Sequence, residues 1–381
     1  MNILLLLTSC TALLVTTGFA VVVLRGMRRL RQLSDQPPAE SLPSLSVVVP
    51  ARNEADELEP ALRSLLEVEY PEIEIIAVND RSTDATAEVL ERLTMASPRL
   101  RVFHVTQLPP GWLGKTHALH IGAQQARGAF LLFTDADVRF HPLALRRAVA
   151  YAARHQLEHL VVMPEITARG PLLRAVMLQF LAAFLFMFRP WRVHYDPKRY
   201  VGVGAFNLVS RSAYRAIGGH KDLAMTPLDD LLLAKRLKQA GARSDALLGS
   251  GMVALDWYAS TAAMVRGMEK NAFAAVDYRL GKLVASTGAV VMLGVWPWLG
   301  LVVGSGSVRG LCALTLLSGY VTLYDSIRRT DWPRWILLLT PLATLVGLYL
   351  SWRAALLALS RGAIEWRGTR YSLSELRARH F

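Results

Sequence analysis

The sequence predicts an α/β fold built on a mostly parallel sheet, with transmembrane helices at both ends of the chain. Three observations carry this. Short apolar strands alternate with amphipathic helices from residue 45 onward, the pattern of a parallel α/β sheet. Polar, acid-bearing stretches recur directly after those strands, where open sheets of this kind bind ligands. Long apolar runs sit at the two ends of a 381-residue chain that is 52% hydrophobic, instead of being spread through it.

The first element is an anchor. Residues 3–24, ILLLLTSCTALLVTTGFAVVVL, carry no charge over a length that spans a bilayer, for which about 20 apolar residues are needed. A secretory signal would show a basic segment before the run and a small-residue cleavage site after it. Neither is evident and RGMRRLRQL follows at once, so residues 1–32 are expected to form an uncleaved anchor with a basic flank. SDQPPAESLPS at 34–44 is a linker by its Pro and Ser content. LSVVVPARNEADELEPALRSLL then reads as a buried strand, a turn and a helix beginning near Glu54. The plan repeats with a strand at 73–78, a polar turn at 79–84 and a helix at 85–94. A strand at 101–107, a helix at KTHALHIGAQQA and a strand at AFLLFTD complete this part. The stretches 51–54, 79–84 and 135–137 all fall at the carboxyl ends of strands, which gathers them in one crevice.

LLRAVMLQFLAAFLFMF at 172–188 is long enough to span, but Arg174 and Gln179 interrupt it. A crossing there would also separate the acids before it from those after it, so it is read as an interfacial helix that lays the soluble domain on the bilayer. The soluble domain covers 45–282. Apolar runs near 283–304, 310–327 and 335–359 form a C-terminal membrane cluster over 283–359, with tryptophans near their ends. A basic tail occupies 360–381. With Arg25–Arg31 cytoplasmic, three later spans would leave that tail outside, against its arginines. One C-terminal segment is therefore re-entrant or interfacial, or 335–359 is a hairpin.

The net charge of +13 invites a nucleic-acid reading. Much of the basic charge flanks the apolar segments instead: Arg25, Arg28, Arg29 and Arg31; Arg328, Arg329 and Arg334; Arg367, Arg370, Arg377 and Arg379. That distribution fits positive-inside retention and anionic lipid, and no nucleic-acid partner is expected. Cys10 and Cys312 both lie in apolar runs and make no metal or disulfide pattern. No span carries an acid deep in its apolar stretch, as ion-coupled carriers do, which argues against a transporter.

Among the motifs, FTDADVRFHP at 133–142 sets Asp135 and Asp137 one residue apart after an apolar strand. Two such carboxylates suit a hard cation that completes its shell with water or diphosphate, and equally describe a solvated acidic loop. VNDRSTDAT holds Asp80 at a strand end, where it can bind a nucleoside, and Asp84 as a helix cap. PPGWLGKTHAL places Gly111, Gly114 and Lys115 before a helix; the turn suits phosphate but is not a P-loop. GAFNLVSRSAYRAIGGH ends on a Gly218–Gly219 turn, and TPLDDLLLAKRLKQAG sets Asp229 and Asp230 at a helix start. The helix dipole alone explains those two acids, and a carboxylate there also has the chemistry of a general base.

The ordered set VVVPARNE, VNDRSTDAT, GKTHAL, FTDAD, GAFNLVSRSAYRAIGG and DDLLLAKRLKQAG resembles the family 2 glycosyltransferases of GT-A fold, Rossmann-like enzymes. It covers about 45–282. With an N-terminal anchor and a C-terminal apolar cluster, the chain looks like the branch of ceramide glucosyltransferases and bacterial hopanoid- and carotenoid-associated glycosyltransferases. The resemblance implies a multi-pass cell-membrane enzyme with a cytoplasmic catalytic domain. It implies that Arg52, Asn53 and Glu54 line the nucleotide pocket, that Asp80 contacts uridine, and that Lys115 lies near the nucleotide-sugar. Asp135 and Asp137 form the D-x-D motif, with Asp137 coordinating Mg²⁺ or Mn²⁺ on the diphosphate. Asp229–Asp230 occupies the family's Glu-Asp pair, with Asp230 as the base toward an acceptor hydroxyl and inversion at the anomeric carbon.

The family's Q-x-x-R-W motif is missing; the corresponding place reads MVRGMEKN, where Arg266 keeps the arginine without a following Trp. Processive enzymes use that motif to hold a growing glycan. The expected function is transfer of one sugar from a UDP-sugar to a lipid acceptor in the bilayer. A processive polysaccharide synthase is the alternative, and a catalytically silent membrane scaffold of the same fold is the other.

Overall fold

The computed structural model describes residues 3–366 and 368–378; Arg367 and Arg379 of the basic tail lie outside the described residues. The chain divides into two compact units, one of Leu30–Thr167 with Pro190–Trp257, the other of the residues up to Arg29, Ala168–Arg189 and those from Tyr258 onward.

Helix α1 (Ile3–Met27) opens the chain in the second of these units. The first unit begins with β1 (Leu45–Ala51), whose Val47, Val48 and Val49 are all buried, as befits a strand covered on both faces. Helix α2 (Ala55–Leu66) buries Leu58, Ala61, Leu62 and Leu65, a spacing that puts all four on one helical face. Then come β2 (Ile73–Asp80), α3 (Thr86–Ala96), β3 (Leu100–Val105), α4 (Gly114–Gln125), β4 (Phe130–Phe133), β5 (Arg139–Phe140), α5 (Ala144–Arg154) and β6 (His159–Thr167). The predicted end of the second strand moves. β2 runs on through Asn79 and Asp80, which were expected in a turn, because both residues pair with His104 and Val105 of β3.

Helix α6 (Pro171–Phe188) belongs to the other unit and interrupts this one. The first unit resumes with β7 (Asn207–Ser210), α7 (Arg211–Ala216), α8 (Asp229–Gln239) and β8 (Ser244–Asp256). Among the described residues these strands form an eight-stranded sheet in the order β3-β2-β1-β4-β7-β6-β8-β5. β1 is parallel to β2 and β4, β2 to β3, and β6 to β8, whereas β7 runs antiparallel to both β4 and β6. The sheet is thus mostly parallel, as predicted, with a reversed strand at its centre.

The other unit continues with α9 (Thr261–Ala274), α10 (Leu280–Val290), α11 (Trp296–Val303), α12 (Gly306–Ile327), α13 (Thr340–Arg361), the hairpin strands β9 (Ala363–Trp366) and β10 (Thr369–Ser372), and α14 (Leu373–Ala378). A π-helical turn at Val291–Val295 joins α10 to α11 just before Pro297. Proline cannot donate the i→i−4 bond, so the helix widens there. Five helices among the described residues are long and apolar enough to cross a membrane: Ile3–Met27, Pro171–Arg192, Leu280–Val303, Gly306–Ile327 and Arg334–Arg361. Thr340–Arg361 is one uninterrupted helix, so no hairpin forms within 335–359. Several polar side chains inside this unit are paired with one another or with backbone. Gln179 donates to the Thr340 carbonyl and to Thr344 Oγ1, each at 3.0 Å, and Trp296 Nε1 donates to Ser9 Oγ at 3.0 Å.

Candidate active site

The site lies in the first unit, at the carboxyl ends of β1, β2 and β4 and the start of α8. At the end of β2, Asp80 is 2% exposed. Arg81 grips it with Nε to Oδ1 at 2.7 Å and Nη2 to Oδ2 at 3.0 Å, and Arg52 Nη1 approaches Oδ2 at 3.4 Å. A Cβ on Gly114 would stand 2.2 Å from Asp80 Oδ2, so the glycine at the start of α4 is what lets that helix close on the acid. Asn53 and Arg81 both adopt positive φ, 52° and 56°, a conformation uncommon outside glycine. The two turns are stitched together: Thr83 N–H donates to Asn53 Oδ1 at 2.8 Å, Asn53 N–H to Ser82 Oγ at 3.1 Å, and Glu54 N–H to Thr86 Oγ1 at 2.9 Å. Asp84 accepts from Thr86 N–H and also from Ala55 N–H, so it ties the two turns as well as capping locally.

At the end of β4, Lys115 Nζ lies 2.7 Å from Asp135 Oδ1 and 3.8 Å from Asp229 Oδ1. Burial works against the lysine's charge, but Asp135, Asp229 and Asp230 together hold its pKa above the ordinary lysine range. Burial, then the charges of Asp135 and Glu54, push Asp137 up to about 7. Burial also pushes Asp229 up to about 7, against the pull of Lys115 and with Asp230 and Asp135 adding to the rise. The small residues of GVGAF have a visible purpose. A Cβ on Gly204 would come within 2.5 Å of Asp135 Oδ2, and one on Gly202 within 2.0 Å of the Asp230 carbonyl.

One pocket is lined by Lys115, Asp135, Asn207, His220, Asp229 and Asp230, among others. The structure therefore brings together residues from α4, β4, β7 and α8 that the sequence separates by more than a hundred positions. Arg266 is exposed on α9 in the other unit. Among the described residues no group of three or more His, Cys, Asp or Glu is placed to hold a metal ion. Asp135 and Asp137 nevertheless offer hard oxygen donors with an excess of negative charge. An ion there would take its other ligands from diphosphate and water, as Mg²⁺ and Mn²⁺ do.

Two residues of this pocket escaped the sequence reading. Asn207 sits on the reversed strand; its Nδ2 donates to the Asp230 carbonyl at 3.2 Å, and its Oδ1 accepts from buried His159 Nε2 at 2.7 Å. His220 follows the Gly218–Gly219 turn, and that glycine pair was the available signal.

Residues 46–218 match the family model described as Glycosyl transferase family 2. The chain is similar to a 4,4'-diaponeurosporenoate glycosyltransferase of Staphylococcus haemolyticus, 26% identical over 271 residues, 70% of each protein. A poly(ribitol-phosphate) beta-N-acetylglucosaminyltransferase, TarS of Staphylococcus aureus, is 30% identical over 128 residues, 33% of this chain and 22% of that one. Among solved structures, the mannosyltransferase PcManGT from Pyrobaculum calidifontis, in complex with GDP-Man and Mn²⁺, has a TM-score of 0.56 at 20% identity, covering 93% of this chain and 98% of that one. The fold is shared with that GT-A enzyme.

Proposed function

We propose, from the premise that residues 46–218 form a family 2 glycosyltransferase domain and the chain is a glycosyltransferase, that the protein moves one sugar from a UDP-sugar to a hydroxyl of a lipid held in the membrane. The observation that carries this reading is the shared pocket of Asp135, Asp229 and Asp230 beside Lys115. The Asp80 corner takes the nucleoside, with Arg52, Asn53 and Glu54 at its edge. Asp135 and Asp137 would hold Mg²⁺ or Mn²⁺, which would stabilise the departing diphosphate. Asp230, the more open of the α8 pair, accepts the proton of the acceptor hydroxyl. The hydroxyl oxygen then bonds to the anomeric carbon as the bond to the β-phosphate oxygen breaks, and that oxygen keeps the electron pair. Asp229, buried against Lys115, holds the ammonium in place.

A lipid acceptor is supported by the five apolar helices and by the name of the carotenoid-directed relative. The sequence on both sides of α6 belongs to one compact unit, which supports the reading that α6 lies on the bilayer instead of carrying the chain across it. On this reading the enzyme is a multi-pass membrane protein with a cytoplasmic catalytic domain.

The test is to incubate purified protein and host-lipid extract with radiolabelled UDP-sugars and Mn²⁺ and to partition the products. Label in one organic-soluble species is expected. Label in a long aqueous or insoluble polymer overturns single transfer in favour of a processive synthase, and absence of label from every donor points to a silent fold.

A further inference from the structure

The transfer chemistry above leaves one wall of the pocket without a task. His220 lines it, 1% exposed, with its ring edge-on to Phe133 at 4.7 Å. Its tautomer follows from its neighbours. Tyr214 OH accepts the backbone N–H of His220 at 3.0 Å and lies 2.8 Å from His220 Nδ1. The hydroxyl proton has no other acceptor among the described residues, so the tautomer that satisfies it has the hydroxyl donating to Nδ1. The ring proton then sits on Nε2. Nε2 makes no hydrogen bond to a described residue, and it is not among the buried side-chain polar atoms left without a partner. It is the part of the ring that opens on the pocket.

The local sequence builds this arrangement. Gly218 and Gly219 have φ of 77° and 59°, and a Cβ on Gly219 would lie 2.6 Å from Tyr214 Cζ. Only a glycine there lets the phenol reach the histidine. Burial, then the charges of Lys115 and His120, lower the His220 pKa to about 3, so the ring is neutral at working pH and presents one N–H instead of a cation.

The other donors of the pocket have partners. Lys115 pairs with Asp135, Thr134 Oγ1 donates to the Ala205 carbonyl at 2.8 Å, and Asn207 Nδ2 donates to the Asp230 carbonyl. Ionised acids only accept, and Asp229, the pocket acid whose pKa is raised, is buried beside Lys115. A group passing from a diphosphate at Asp135 to a nucleophile at Asp230 must occupy the space those residues line together. We infer that His220 recognises the transferred sugar, its Nε2–H donating to one sugar hydroxyl oxygen, with Tyr214 as the positioning residue that holds the tautomer. The inference rests on the glycosyl-transfer reading above.

Calorimetry of binding without acceptor tests it, using UDP alone and a panel of UDP-glucose, UDP-galactose, UDP-N-acetylglucosamine and GDP-mannose. His220→Ala is expected to bind UDP within about twofold of the wild type, yet to bind the preferred donor about 10-fold more weakly, as a lost hydrogen bond to a buried partner costs. His220→Gln, which keeps an N–H donor, should recover part of the loss, and Tyr214→Phe should fall between. One deoxy analogue of the preferred donor should cost the wild type what His220→Ala costs, and cost His220→Ala nothing more. Equal losses for UDP and for the intact donor make His220 structural and overturn the assignment. So does donor binding unchanged in His220→Ala, or a deoxy penalty that adds fully to the variant's. A wild type that binds no donor of the panel overturns the transfer reading and the assignment with it.

Discussion

At the β2 end of the crevice one carboxylate, Asp80, lies between two guanidiniums, Arg81 at 2.7 Å and Arg52 at 3.4 Å. At the β4 end Asp135, Asp137, Asp229 and Asp230 share one ammonium, Lys115, and Asp137 and Asp229 are each pushed up to about 7. The first corner sets one negative charge against two positive ones. The second carries more negative charge than the protein neutralises, and that excess is what a divalent cation and a proton-accepting step require. On the reading proposed above, the first is the corner that binds and the second the corner that reacts.

The sharpest way to break this comparison is to remove what the second corner awaits. Chelation with EDTA, or Asp137→Ala, is expected to lower transfer on the order of a thousandfold, the several kcal/mol a metal ion contributes, while the far-UV circular dichroism stays that of the folded protein. Full activity in EDTA would show that the acids at β4 have no metal role. Next in size, Asp230→Asn should reduce kcat by about 100-fold or more, within the roughly 100- to 10,000-fold range for a lost general base, with UDP affinity unchanged in titration. An unchanged turnover would move the base to Asp229.

At the first corner the effect changes character. Asp80→Ala strands two guanidiniums in a largely buried site, at a cost of about 3 kcal/mol. Both the thermal midpoint and UDP affinity should fall; a midpoint equal to that of the wild type would mean the pairs contribute nothing to folding. The smallest effect runs the other way. The carboxyl of Asp229 has a folded pKa of about 7 against 3.8 for a free aspartate. Stability is therefore fullest below the lower value and is lost as pH rises through the upper one. Asp229→Asn should raise the midpoint by about 2–4 °C above pH 7, with the gain fading toward pH 4. A midpoint lowered at pH 8 would show that the Lys115 pair outweighs the burial penalty.

Much of the fold was legible because it is local. VVV, IEIIAV and FLLF announce buried strands by composition alone, and the acids after them stand where α/β sheets bind ligands. Reversal of β7 left no such mark. Its four residues, NLVS, are too short for a pattern, and strand direction is decided by pairing with β4 and β6, distant in sequence. The different environments of Asp229 and Asp230 were equally hidden, since adjacent acids at a helix start look alike until one is buried. His220 and the His159–Asn207 link depend on the same long-range contacts.

The place of α6 in the chain has a consequence for biosynthesis. β7, which fills the gap between β4 and β6, is encoded after that apolar helix. While the ribosome is still making α6, both flanking strands have open hydrogen-bonding edges, the kind of surface on which chains pair wrongly. The sheet can close only after an apolar helix long enough to cross a membrane has left the ribosome, so those edges stay open throughout its synthesis.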